Sequence, residues 1–394
     1  MELNDPRMGT VQIKAFRPGD MLPVPVIRGG ETIRTPALVI DLDAVDANLD
    51  ATLRLLGGDP NRWRPHLKTT KLGLVMRRIC ARGVLQAKTA TTLELETACA
   101  AGFTDVLVAY PVTGPQVDGV RRIAAAFPAV TVSVLVEDAA MVTAWRGSPV
   151  GLFIDLNSGM DRTGMRLDGH DQVVGLARGI REAGLRFAGL HCYDGHASDF
   201  APADAAARVH AGYDRLLTLV QRLAVAGIPA PEVVTAGTPA FPHAATYPRF
   251  TEAGVPHRVS PGTVVYNDRK SLKQLPARAG YVPAALVLGR VVSHPGPSRF
   301  CLDTGHKSIS ADAGDPTCEV LGHPEFTPRH PSEEHLPVDV PPGTPLPRRG
   351  ETLWLLPSHV CPTVNNFDHA VIVKDRAVQG LESVTARGRH PPMG

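Results

Sequence analysis

From about residue 36 to residue 285, short apolar, β-branched runs alternate with longer stretches of helical period, and this alternation constrains the fold more than any other feature of the chain. Repeated βα units produce a parallel sheet, because each crossover returns the chain to the same end before the next strand pairs. Roughly eight units are legible. Strands are expected at Trp63–His66, Val84–Ala87, Val106–Ala109, Val130–Val136, Leu152–Asp155, Phe187–Cys192, Glu232–Thr235 and Arg258–Ser260. Eight units over some 250 residues is the size of one closed (β/α)8 TIM barrel, whose reactive groups gather at the C-terminal ends of the strands. An open doubly wound sheet is the alternative, but no G-x-G-x-x-G opens a first helix.

After about residue 286 the texture changes. Val287, Leu288, Val291 and Val292, then Trp354–Pro357 and Ala370–Val373, read as strands among Pro- and Gly-rich connections. The proline-rich stretch Pro337–Arg349 reads as loop. The expected organisation is an α/β barrel at 36–285, a second, mostly β C-terminal domain at 286–394, and an N-terminal segment, 1–35, packed on the latter.

Charge excludes some partners. Lys plus Arg number 41 against 39 Asp plus Glu, so the net charge of +2 creates no field that would draw nucleic acid or an anionic membrane. Met1–Asp20 mixes charges with prolines, and no run approaches the ~18 apolar residues of a membrane span, so a cytoplasmic protein is expected. The six cysteines are scattered without a CxxC, which suggests neither a disulfide framework nor a zinc knuckle.

The segment Arg64-Pro65-His66-Leu67-Lys68-Thr69-Thr70-Lys71 places Lys68 just past a strand end. A lysine desolvated there suits a Schiff base with a carbonyl cofactor; a surface lysine is the bland alternative. After the fifth strand, Gly159-Met160-Asp161-Arg162-Thr163-Gly164 sets Arg162 between glycines, either a mere turn or a donor to an anionic oxygen. The sixth strand ends His191-Cys192-Tyr193-Asp194-Gly195-His196, where Tyr193 can lie against a flat ring, unless these are satisfied core residues. Thr235-Ala236-Gly237-Thr238 and Ser260-Pro261-Gly262-Thr263 follow the seventh and eighth strands, where barrels often cradle phosphate on backbone N–H groups. In the second domain His359 and Cys361 stand two apart; in an extended strand both would leave one face, as an imidazole–thiolate pair for a divalent ion or as ordinary packing. Ser332-Glu333-Glu334-His335 is either a solvated acidic turn or a further contributor.

Taken in order, these pieces resemble the alanine-racemase-like, fold-type III pyridoxal-phosphate enzymes, specifically the D-threonine aldolase / D-serine dehydratase branch. The resemblance runs over nearly the whole chain: Thr35–Asp43 with Asn48, the Pro-His-x-Lys-Thr run, the Gly-Met-x-Arg-Thr-Gly loop, Ser332–His335 and His359-x-Cys361. It implies that Lys68 carries pyridoxal 5'-phosphate. Arg162 would sit near the phenolic oxygen, Tyr193 and His66 near the ring, and Thr235, Gly237, Thr238, Gly262 and Thr263 around the phosphate. His359 and Cys361 would hold Zn or Mn. Two departures bear on the ligands: Val264 stands where many members have tyrosine, and Tyr193-Asp194-Gly195-His196 differs from the usual segment.

The function implied is a lyase acting on a D-β-hydroxy amino acid, by retro-aldol cleavage to glycine and an aldehyde, with His191 or His196 as base at the β-hydroxyl. The alternative is β-elimination, as in a D-serine or D-3-hydroxyaspartate dehydratase. An amino-acid racemase and a non-catalytic cofactor-binding protein are the remaining rivals. A homodimer is the family expectation.

Overall fold

The computed structural model describes residues 22–392; most of the N-terminal segment expected to pack on the β domain lies outside the described residues. Ala37–Asp41 (β1) is an apolar run buried along its length. Asp41 then caps the helix Leu42–Leu55 (α1), its carboxylate accepting the N–H groups of Asp43 and Ala44. β1 does not join the barrel. It belongs to the second sheet, so the barrel proper begins with α1 rather than at residue 36.

Seven parallel strands follow in chain order: Gln86–Thr89 (β2), Asp105–Pro111 (β3), Thr131–Val136 (β4), Gly151–Asn157 (β5, with the short spur β6 at Met165–Arg166), Phe187–Tyr193 (β7), Val233–Thr235 (β8) and His257–Val259 (β9). The first expected strand, Trp63–His66, is not a regular one: the segment carries Pro65, which lacks an N–H. It nevertheless acts as the eighth stave. Trp63 bridges Val259 and His66 bridges Lys88, with Arg64 N donating to Val259 O at 2.9 Å and Lys88 N to Pro65 O at 2.8 Å. The ring thereby closes on both sides of this segment. Its interior carries a layer of Leu107, Leu135, Phe153, Ala188 and Val234. Beside that layer Arg64 is fully buried, its guanidinium donating to Glu232 at 2.8 and 2.9 Å and to Asp105 at 2.6 Å. Such a charge is tolerable inside only when paired on each side.

The remaining strands are Ala285–Gly296 (β10), Arg299–Leu302 (β11), Cys318–Val320 (β12), Thr327–Pro328 (β13), Leu336–Asp339 (β14), Thr352–Pro357 (β15), His369–Lys374 (β16) and Ala377–Ser383 (β17). They form a nine-stranded sheet ordered β13-β14-β11-β10-β1-β16-β17, with β15 joining β10 to β12. The proline-rich 337–349 stretch thus starts inside a short strand before becoming loop. Arg28 bridges Ala377, and Leu22 and Ile33 join β1 in the cluster on this sheet. Val360, Cys361, Val364 and Ile372 belong to the same core cluster as the barrel helices, so the hydrophobic core runs through both domains. Among the described residues no helix is long and apolar enough to cross a membrane.

Candidate functional site

Past the closing stave the chain turns through Lys68–Lys71. The two lysines of this turn have different fates. Lys71 is buried, donating to Glu94 at 2.9 Å and to Ala386 O at 3.2 Å, whereas Lys68 opens on a pocket of about 360 Å³ at the barrel mouth. His66, Tyr193, Gly237, Thr238, Gly262 and Thr263 line the same pocket, and His359 and Cys361 reach it from the second domain.

Glycine is needed where these loops crowd together. A Cβ at Gly262 would run into the carbonyl oxygen of His66; at Gly195 and Gly237 it would lie 2.5 and 2.8 Å from opposite edges of the Tyr193 ring. The ring is therefore clamped flat, with the Arg162 guanidinium 4.9 Å from its centroid. Nearby, Ser260 presents a buried hydroxyl with no protein partner. Gly237 departs from expectation: its N–H already donates to Asp194 at 3.0 Å, the other Asp194 oxygen accepting from Tyr213. Burial holds the Asp194 carboxyl above its ordinary range despite these bonds.

His191, His196, Arg162 and Thr235 are not among the residues lining the pocket. Thr235 lies beneath it, bonded to His257. His191 is 4% exposed and both ring nitrogens are engaged, Nδ1 with Asp155 at 2.6 Å and Nε2 with Lys88 at 3.1 Å. Burial, and then the Lys88 cation, keep its pKa below that of a free histidine. The geometry thus corrects the expectation that His191 serves as a base facing substrate. His196 sits on the turn Gly195–Asp199, edge-on to Phe200, and its buried Nδ1 lacks a partner.

The His359 pair also departs from expectation. The segment is no strand: a helix runs over Val360–Asn365 with His359 at its cap position, so Cys361 enters on the first turn. This helix is pinned to the barrel, Val360 N donating to Asp268 at 3.0 Å while the same carboxylate caps the helix Arg269–Gln274. Cys361 Sγ is 2.9 Å from Thr69 Oγ1, one residue from Lys68. Burial alone would lower the His359 pKa, but the Cys361 sulfur and the Asp312 carboxylate outweigh it and raise the value to about 9. Burial would raise the Cys361 thiol; His359, Lys68 and Thr69 hold it below the usual value. Asp312, 2.6 Å from His359 Nδ1, escaped the sequence reading, as did Lys88, while Ser260 and Asp155 were quoted only as members of a loop and a strand end. The Ser332–His335 segment lies apart from this pocket's lining, with Glu333 and Glu334 paired to Lys307. Among the described residues no cluster of three or more His, Cys, Asp or Glu side chains stands ready to enclose a metal. An ion here would have two protein donors and open positions, unlike a closed structural site.

A closed parallel barrel with a lysine past its first stave, joined to a β domain that reaches back to the barrel mouth, defines the alanine-racemase-like class of two-domain folds. The chain belongs to the family of the alanine racemase N-terminal domain, whose model matches residues 40–270; a serine dehydratase domain model matches residues 284–373. It is 30% identical to the D-threonine aldolase of an Arthrobacter species, covering 94% of this chain and 97% of that one. It is 26% identical to the D-threo-3-hydroxyaspartate dehydratase of Delftia sp. strain HT23, over 89% and 97%. Among solved structures it resembles the D-threonine aldolase from Filomicrobium marinum, with a TM-score of 0.83, 27% identity and coverage of 94% and 99%.

Proposed function

We propose that this chain is a pyridoxal-phosphate- and divalent-metal-dependent lyase that cleaves a D-β-hydroxy amino acid to glycine and an aldehyde. The observation that carries this reading is that Lys68 and the His359–Cys361 pair, 291 positions apart or more in sequence, open on one pocket. The residues present fit both groups. The orphaned Ser260 hydroxyl and the loops narrowed by Gly237 and Gly262 suit a phosphate; the clamped Tyr193 ring suits a flat heterocycle; an imidazole beside a sulfur held toward thiolate suits Zn or Mn.

Pyridoxal phosphate supplies an electron sink for the α-carbon, and a divalent ion supplies Lewis acidity at the β-hydroxyl. The chain's own residues do the rest. Lys68 anchors the cofactor and then moves a proton at the α-carbon. Ser260, Thr238 and Thr263 bind the phosphate, Arg162 and Tyr193 orient the ring, and His359 and Cys361 set the position of the β-hydroxyl. The hydroxyl proton in cleavage falls to His196, carried on the turn whose Gly195 and Ser198 line the pocket; His191, locked between Lys88 and Asp155, does not take it. In this division of labour the barrel holds the cofactor and the second domain holds the metal, in a chain expected to work as a homodimer. Similarity to the Delftia dehydratase favours one second reading, β-elimination, in which Lys68 removes the α-proton and the hydroxyl departs.

The test is an absorbance spectrum of purified wild type beside Lys68→Ala, then D-threonine after chelation and after Mn²⁺ or Zn²⁺ is restored. A Schiff-base band lost in the variant, with metal-dependent glycine and acetaldehyde, supports the aldolase. Metal-dependent 2-oxobutanoate and ammonia select the dehydratase. A spectrum without the band in either protein overturns the reading.

A further inference from the structure

The Asp312 carboxylate makes a 2.6 Å contact with His359 Nδ1, on the side of the ring away from any nitrogen needed elsewhere. Its place is fixed by its own neighbours. Ser310 Oγ donates to the other Asp312 oxygen at 2.8 Å, Ser310 N donates to Thr363 Oγ1 at 3.2 Å, and Thr363 Oγ1 donates to His359 O at 2.8 Å. The loop Ser310–Asp312 and the cap of the helix Val360–Asn365 therefore brace each other in a closed circuit that runs through both ends of His359.

A histidine bonded to a carboxylate through Nδ1–H has its lone pair on Nε2. Rings held this way bind metals through the free nitrogen, and loss of the carboxylate costs about 10–100-fold in affinity. We propose that Asp312 is the positioning residue of the His359–Cys361 site: it holds the ring so that Nε2 is turned toward Cys361, and a divalent ion is taken by Nε2 and Sγ. In this assignment Asp312, which lines the same pocket, serves the ring of His359 rather than the ion. This inference rests on the proposed function and assigns to that site a residue from an irregular loop 47 positions away.

Co²⁺ titration of the metal-stripped holoenzyme tests it, because thiolate ligation gives a charge-transfer band that reports binding without reference to turnover. Wild type, Asp312→Ala, Asp312→Glu and Cys361→Ala are compared, each checked by circular dichroism and by retention of the cofactor's absorbance. The expected result is a band in wild type, none in Cys361→Ala, a Co²⁺ dissociation constant raised about 10–100-fold in Asp312→Ala, and partial recovery in Asp312→Glu. Wild-type affinity in a folded Asp312→Ala overturns the inference while leaving the metal site intact. No thiolate band in wild type overturns both this inference and the metal reading beneath it.

Discussion

Lys88 shows what one buried charge does to the barrel. It is 2% exposed, bonded to His191 and 5.6 Å from the Tyr193 ring centroid. Burial, and then the nearby Lys68, lower its pKa to about 7 from the ordinary 10.5, against the pull of Asp155 and Asp194. The sign follows from proton counting. Between pH 7 and 10.5 the unfolded chain holds a proton at this site that the native one has released, so stability rises with pH across that window and has no slope from this group below it. Lys88→Met removes the effect. Denaturant unfolding of both proteins is expected to show the wild type gaining on the variant by about 1.4 kcal/mol per pH unit between those limits; parallel stability curves would refute it. Nothing in Gln-Ala-Lys-Thr marked this lysine, since a strand residue's inward face is known only once its neighbours are. Lys68 was singled out because it stands just past a strand end within the Pro-His-x-Lys-Thr run, and the resemblance, not the position alone, gave it a role.

At the scale of elements, the site depends on how closely the loops after the staves approach one another. Gly262 has no room for a side chain because the obstacle, the His66 carbonyl, is backbone and cannot swing aside. Gly262→Ala is expected to cost about 1–3 kcal/mol of stability, as overpacking does, and to weaken retention of the pyridoxal phosphate proposed to bind here by parting the Ser260–Thr263 loop from the Lys68 loop. Thermal unfolding together with absorbance after gel filtration checks both effects; an alanine variant matching wild type in each would remove the close approach from the argument. These loops were legible as Gly-containing turns after apolar runs. Two other elements were not. Pro65 reduced the first stave to isolated bridges, and His-x-Cys, weighed as an extended pair, proved to be a helix start whose first N–H, that of Val360, is accepted by Asp268.

For the whole molecule, the second sheet is assembled from both ends of the chain. β1 lies between β10 and β16, and residues on either side of the domain boundary share one core cluster. The two domains are thus expected to unfold together, in a single calorimetric transition. A chain ending at residue 284 would leave β1 with neither neighbour and strip Val360, Val364 and Ile372 from the barrel's cover. It is expected to be expanded or aggregated by circular dichroism and size-exclusion chromatography. A compact, cooperatively melting barrel from that shortened chain would show the coupling to be dispensable.

The sequence by itself determined the βα alternation, seven of the eight staves and the change to β structure after residue 286, and it marked Lys68 and His359/Cys361 as candidates, which line one pocket. Periodicity and the residue types at strand ends are local quantities, and local quantities survive in a linear string. The tertiary structure alone decided that Lys71 is tied to Glu94, that β1 leaves the barrel for the second sheet, that His191 is locked away between Lys88 and Asp155, and that Asp312 bonds to His359. Each of those outcomes is set by hydrogen bonds or sheet pairings between residues 23 to 332 positions apart, and no spacing rule acts over such distances.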